Sequence, residues 1–445
     1  MVAGGRLTRR EVVAGGLLLL AGCATPRLKQ VQRPFVQRIG SRLLSGSEPY
    51  RFAGTNMWYA AYLGADAPYG DRSRLRRELD KLSALGISNI RILGSSELSP
   101  LKNSVTPAFR AQSSDYNETL LRGLDFALAE MGGRGMRAVI YLTNFWEWSG
   151  GMMTYLYWTN GGRYIDMNDP AHPWPQFPDM VSQFYASDAA VDMYHDYVRA
   201  VVGRTNSITG QRYADDPAIM AWQLANEPRP GGSDAVGSEQ LPAYLAWISA
   251  TARLIKSLDP NHLVSTGSEG TQGCIGRDDC MVQAHSFSEV DYLTAHIWPQ
   301  NWGWADPKDL AGTWPTVEAK TREYIAAQVA IAERLGKPLV IEEFGFPRDG
   351  GSFDPASTTT YKDRFYALIY GAVAESIAKG GPIAGSNFWA WGGEGRAEHR
   401  DHRFSRGDTA YVGDPPHEPQ GWYSVFDSDA STQALIREHA AELIA

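Results

Sequence analysis

The chain has 445 residues, 43% of them hydrophobic, enough apolar material for a large buried core. Its formal charge of −8 argues against a nucleic-acid partner, which normally shows as a basic patch, and an acidic surface tolerates a neutral ligand. Fourteen Trp and twenty-one Tyr are generous for such a chain; most read as core, but large aromatics also line sugar clefts by stacking on pyranose faces.

The first residues read as a processing segment rather than part of the fold. Thr8-Arg9-Arg10-Glu11-Val12-Val13 resembles a twin-arginine export signal, and the apolar run 12–21 behind it is too short for an ordinary transmembrane helix. Leu20-Ala21-Gly22-Cys23 matches the bacterial lipobox, in which the cysteine is lipidated and becomes the first residue of the mature protein. An ordinary signal peptide with an incidental cysteine is the alternative. The expected division is a lipoprotein signal peptide at 1–22, a tether at 23–42 containing Pro26 and Pro34, and one catalytic domain at 43–445. Such a protein is exported and held by its lipid on the periplasmic or cell-surface face of a bacterial membrane; more than one acyl chain makes the attachment stable.

From there one signal recurs: an apolar β-rich run followed by a segment of helical period. Strands are predicted at 50–56, 88–93, 137–143, 219–225, 263–267, 292–296, 339–343 and 383–389. Amphipathic helices are predicted at 71–85, 119–131, 189–203, 317–335, 361–378 and 431–444. Another carries Leu245, Ile248, Ala252, Ile255 and Leu258 on one face. Eight strands alternating with helices is the count for a (β/α)₈ barrel, whose active site lies at the C-terminal ends of the strands. An open doubly wound sheet is the rival, but no Gly-rich phosphate loop follows the first strand.

The longest insertion, 144–187 after the third strand, carries eleven aromatic residues, among them Trp146, Trp148, Trp158 and Trp174. It reads as a cleft wall with sugar subsites rather than as self-packing ballast. Cys274 and Cys280, five residues between them, read as a small disulfide loop in an exported protein, because a zinc site needs more ligands than lie nearby. Asp278-Asp279 reads as a turn. Glu398-His-Arg-Asp-His402 reads as a solvated loop after the eighth strand, and His172 and His195 have no partners at ligand spacing.

Two strand ends carry the chemistry. Trp222-Gln-Leu-Ala-Asn-Glu-Pro228 places Glu227 where the fourth strand stops, and Leu339-Val-Ile-Glu-Glu-Phe-Gly345 ends the seventh in an acidic doublet. Retaining hydrolysis of a glycosidic bond needs two carboxyl groups roughly 5–5.5 Å apart. Glu227 and Glu343 are 116 positions apart, about three strand–helix modules, so opposite sides of one rim could hold such a pair. Side chains alternate along a strand. With Leu339 and Ile341 inward, Glu343 faces the barrel axis and Glu342 points toward the helices as a hydrogen-bonded structural acid.

Asn226-Glu227-Pro228, Glu343-Phe344-Gly345, Arg91 on the second strand and His296 on the sixth together resemble the signature of glycoside hydrolase family 5. His296-Ile-Trp-Pro-Gln-Asn-Trp302 and Asn387-Phe-Trp-Ala-Trp-Gly-Gly393 are similar to the β-mannanases of that family, and the likeness runs from about 50 to 430. The resemblance implies that Glu227 is the acid/base and Glu343 the nucleophile. It implies that Asn226 bonds the sugar 2-hydroxyl, that Arg91 keeps the nucleophile ionised, and that His296 orients the acid/base and substrate. Trp389 becomes the platform under the sugar, although Trp391, two residues on, could take that place. The family often has Tyr two residues after the sixth-strand His; here it is Trp298, which carries no hydroxyl. Trp58 and Trp146 complete the expected sugar contacts.

The expectation is therefore a lipid-anchored endo-β-1,4-mannanase. It acts as a monomer on mannan or manno-oligosaccharides, without metal or cofactor. Its rivals are an exo-acting β-mannosidase, a β-glucan hydrolase, and a non-catalytic sugar-binding lipoprotein.

Overall fold

The computed structural model describes Met1, 33–112 and 115–444. Eight parallel strands form its centre: β1 (Phe52–Asn56), β2 (Asn89–Leu93), β3 (Arg137–Tyr141), β4 (Ile219–Gln223), β5 (Leu263–Ser265), β6 (Leu293–Ile297), β7 (Leu339–Phe344) and β8 (Ile383–Phe388). Their hydrogen-bonded order is β5-β4-β3-β2-β1-β8-β7-β6. The β5–β6 seam is closed by single bonds, Asp291 N to Val264 O at 2.7 Å and His296 N to Glu269 O at 2.9 Å. Every strand is buried along its length, which is why each reads as a continuous apolar run rather than an alternating one.

Helices follow every strand: α1 (Arg72–Ala84), α2 (Glu118–Gly133), α3 (Asp188–Val202), α4 (Asp234–Leu258), α5 (Asp278–His285), α6 (Leu310–Leu335), α7 (Thr360–Ala378) and α8 (Ala430–Ile444), with three more at Ala60–Gly64, Gly151–Thr159 and Gln176–Val181 in the connections after β1 and β3. Several start where a short polar side chain takes up orphan backbone donors: Asp71 for α1, Asn117 for α2, Ser187 for α3, Ser233 for α4 and Asp309 for α6. The predicted barrel is therefore observed. The turn expected at Asp278-Asp279 is instead the first turn of α5, where two carboxylates complement the positive end of the helix.

Part of the segment expected as a tether is folded. Val36–Ile39 and Arg42–Ser45 pair antiparallel across a two-residue turn in which Gly40 has φ +60°. This hairpin turns Val36 and Leu43 into the barrel floor against Phe52, Val139, Met220, Tyr292 and Val340. Burying two such side chains stabilises the fold by about 1.5–3 kcal/mol each, so the folded domain starts before residue 43. Arg137, the first residue of β3, bonds Pro34 O and Ser45 Oγ and fixes the hairpin to the strands' N-terminal ends.

The insertion after β3 is both core and wall. Tyr155, Phe177 and Phe184 are buried among α3 and α4, whereas Trp174 is 60% exposed. Among the described residues, no helix is long and apolar enough to cross a membrane.

Candidate active site

The polar side chains of the barrel gather at the mouth. Beyond β4 the backbone is pinned to both neighbours, through Asn226 N to Thr143 O at 2.8 Å and Glu227 N to Gly267 O at 2.9 Å. Glu227 itself has φ +51°, a left-handed conformation costing a non-glycine residue about 1–3 kcal/mol. These bonds hold it there and turn its carboxyl into the cavity.

On β7 the expected parity is reversed. Val340 joins the barrel floor, while Leu339 and Ile341 pack outward against the helices. Alternation alone would turn Glu343 away from the axis. The ladder to β6, however, shifts between Ile341 and Glu343, pairing Ile341 with Ala295 and Glu343 with His296. A bulge of this kind re-aims side chains, and here both Glu342 and Glu343 face the interior. Glu342 is thus not a helix-facing acid: Gln223 Nε2 donates to both its oxygens at 2.7 Å, and Arg91 Nε lies 3.4 Å away.

Arg91, fully buried over the Tyr141 ring, organises this layer. It donates to Gln223 Oε1 and Asn226 Oδ1 at 2.7 Å each, to Asn56 Oδ1 at 3.2 Å, and to Glu343 Oε1. His296 Nδ1 lies 2.6 Å from Glu227 Oε1 and 3.3 Å from Glu343 Oε2. The other oxygen of Glu227 accepts the indole N–H of Trp146. One oxygen from each carboxyl and a ring nitrogen of His296 lie within 4.8 Å of one another, the spacing of a retaining pair. The same donor set could hold a divalent cation, but its members are those the glycosidic chemistry needs.

Two cations, Arg91 and protonated His296, face three carboxyls. Burial disfavours charge on His296, but Glu343 and Glu227 outweigh it and push the ring up to about 10. Burial also works to raise Glu227, yet the hydrogen bond and charge of His296 hold it at about 2. Glu343 is pushed up to about 8 by burial, against the pull of His296 and Arg91. The resting site thus stores its acid proton in the His296–Glu227 hydrogen bond. The charge of Glu227 adds to the upward push on Glu343. Arg91 bonds Glu343 but not Glu227, so above the pH at which Glu343 ionises, a proton passed from His296 to Glu227 leaves Glu343 as the charged partner. That is the distribution a double displacement requires.

Around this pair lies a pocket of about 640 Å³, lined by Trp146, Trp174, Arg229, Glu269, Trp298 and Trp389 among others. Trp298 meets Trp389 edge-on at 6.0 Å and leans on Tyr423 at 5.0 Å. Trp389 lines the pocket with its indole N–H buried and without a protein partner, whereas Trp391 is held in the core by Glu78 and is not among the lining residues. Asn226 lines the pocket, its amide fixed by Arg91 and by Asn144 at 3.1 Å. Sequence reasoning missed the Arg229–Glu269 fork, bonded at 2.6 and 2.7 Å under the Trp146 and Trp174 rings. Its only sequence signal was Arg229 directly after Asn-Glu-Pro.

Three expected site residues depart from the roles predicted for them. Trp58 is buried behind the wall, donating to Gly413 O and packing on Trp148 at 5.8 Å, so it buttresses the cleft without lining it. Cys274 and Cys280 are buried free thiols rather than a disulfide. A hydrogen bond with Cys280, together with burial, pushes the Cys274 thiol well up, disfavouring the thiolate through which oxidation proceeds. Cys23, the lipidation candidate, lies outside the described residues. In the loop after β8, His399 bonds Asp408 and His402 bonds Gln420 O.

An eight-stranded barrel with two carboxyls this close at its mouth, one gripped by arginine and the other by histidine, defines a retaining glycoside hydrolase. Residues 33–445 match the family described as GH family 5 beta-mannosidase-like, and the chain belongs to glycoside hydrolase family 5. It is similar to a glycoside hydrolase family 5 mannosidase from Rhizomucor miehei, with 33% identity and a TM-score of 0.83 over 92% of this chain and 97% of that one. It is also similar to the mannan endo-1,4-beta-mannosidase 1 of Oryza sativa subsp. japonica, 28% identical over 82% of this chain and 80% of the relative. An endo-1,4-beta-mannanase from Rhizomucor miehei, 23% identical, shares the fold with a TM-score of 0.64 over 92% of this chain and 99% of that one.

Proposed function

We propose that the chain hydrolyses β-1,4-mannosidic bonds in mannan-type polysaccharides, with retention of configuration. The observation that carries this reading is the Glu227–Glu343 pair, joined through His296 and enclosed by tryptophans. Glu343 attacks the anomeric carbon while Glu227 gives its proton to the departing glycosidic oxygen, leaving a mannosyl ester on Glu343 and a free hydroxyl on the aglycone. Loss of the Glu343 charge makes Glu227 the stronger acid, so it then takes a proton from water, whose oxygen opens the ester. Glu227 ends as it began. Incubation with soluble mannan, followed by proton NMR of fresh products, should show β-anomers first and a distribution of oligosaccharides. An initial α-anomer would overturn the mechanism.

The greater structural likeness to the fungal mannosidase favours a second reading, removal of single mannosyl units from chain ends. Mannose as the sole early product would decide for it. The non-catalytic reading has no such support, because both carboxyls and their arginine are in place. Activity on a soluble β-glucan equal to that on mannan would favour the glucanase rival.

The motif at 8–23 supports export and lipid attachment at Cys23. Mass spectrometry of the mature N-terminus should find an acylated cysteine, and C23A should release the protein from membranes; a soluble parent protein would refute the anchor.

A further inference from the structure

One cluster on the pocket wall has no part in the scheme above. Glu147 sits in the turn at the start of the β3 insertion, fully buried, and neither carboxylate oxygen accepts a hydrogen bond from another residue. His417, in the long loop after β8, lies with Nδ1 3.9 Å from Glu147 Oε1 and Nε2 3.7 Å from Glu418 Oε1, both beyond hydrogen-bond reach. His417 Nδ1 and Glu418 Oε2 are also buried without partners, and the Glu418 side chain is only 10% exposed. Trp148 packs edge-on against the His417 ring at 6.5 Å.

Four orphaned polar atoms in one place are costly, because each buried group without a partner forfeits its hydration. The position of the cluster says what would satisfy it. His417 and Glu418 line the pocket that holds Glu227 and Glu343, and also an outer groove of about 1030 Å³ walled by Tyr164, Asp166, Phe353 and Arg403. They stand at the neck between the two. Glu227 must touch the leaving oxygen and Glu343 the anomeric carbon of the glycone, and Trp389, Trp148 and Glu418 line the pocket that holds both.

The surroundings favour a neutral ligand. Burial pushes the carboxyls of Glu147 and Glu418 up and the His417 ring down, disfavouring charge on all three. The separation of the two carboxyls on either side of His417 keeps them from converging on one cation. A sugar ring, by contrast, offers hydroxyls that both donate and accept.

We propose that Glu418 binds hydroxyls of the glycone and selects for it, with His417 and Glu147 behind it as positioning residues. This rests on the mannoside reading. It adds a specificity-determining residue on the β8 loop, outside the residues shared with the family signature.

The test compares the parent protein with E418A, E418Q and E147Q on p-nitrophenyl β-mannoside and mannohexaose. E418A should lower kcat/KM by about 10- to 100-fold on both substrates, because both present the glycone. E418Q keeps an acceptor oxygen and should recover most of the loss. E147Q should act chiefly through KM, at an unchanged thermal midpoint. In an E343A background, where turnover is removed, calorimetric affinity for mannobiose should fall at least fivefold on adding E418A. Rates for E418A within threefold of parent, or unchanged mannobiose affinity, would overturn the proposal. So would equal losses in E418A and E418Q that track a lowered midpoint. A parent inactive on every mannoside would instead overturn the proposed function, so the two failures are distinguishable.

Discussion

Replacing Arg91 by lysine keeps the positive charge but removes the fork. The guanidinium reaches Gln223, Asn226, Asn56 and Glu343 at once, through Nε and both terminal nitrogens. A lysine ammonium is a single point that can serve Glu343 and one neighbour. Two amide oxygens then lose a charged donor, at about 1.5–3 kcal/mol each. Flipping either amide brings no relief, since Gln223 Nε2 is committed to Glu342 and Asn226 Nδ2 to Asn144. With partial relaxation, about 3 kcal/mol of stability should be lost in urea unfolding monitored by tryptophan fluorescence. Glu343 should also lose its fixed orientation. A displacement of that kind should lower kcat on mannan by at least 100-fold, equivalent to about 2.7 kcal/mol at the transition state. A variant that unfolds at the parent's urea midpoint and keeps kcat within threefold would show that this network does not position the nucleophile.

Glu227→Ala should be slow on mannan but retain far more activity on a dinitrophenyl mannoside, whose leaving group needs no proton. Added azide should restore turnover with a β-mannosyl azide product, and an α-azide would exchange the roles of the two glutamates. For pH, His296→Asn should narrow the kcat/KM bell from both sides. The basic limb, set near about 10 by the His296–Glu227 proton, moves down; the acid limb, set near about 8 by Glu343, moves up because a cation that lowered it has gone. An unmoved basic limb would refute the storage of the acid proton on His296. Trp146→Phe keeps the ring but deletes the N–H donated to Glu227; deglycosylation, in which that carboxyl is charged, should slow by about 10-fold in pre-steady-state rates. Equal slowing of glycosylation would argue for a merely structural role.

The barrel was legible because each strand is buried on both faces and so reads as an apolar run, and two of those runs, the fourth and the seventh, lead straight into a carboxylate. Glu227 and Glu343 were legible from the same runs, whereas Arg91, His296 and Trp389 were reached through the resemblance to family 5. What escaped depended on geometry without a local signal. The bulge at Glu342 has no sequence mark and reverses the side from which parity was counted; Glu343 reaches the site by a route that alternation does not supply. Trp58 looked like a rim residue until Trp148, ninety positions away, was found in front of it. The hairpin at 36–45 was hidden by brevity, four residues a strand among prolines and arginines. Glu147 and Glu418 come from loops 271 positions apart, and only folding makes them neighbours.

The same hairpin gives the molecule a polarity. Because the described chain enters through the closed pole, everything upstream of residue 33 joins at the pole opposite the mouth. A lipid attached there would hold the protein by its base. The tryptophan-lined opening would look outward into the medium, where a long polymer could meet it without competing with the bilayer for space.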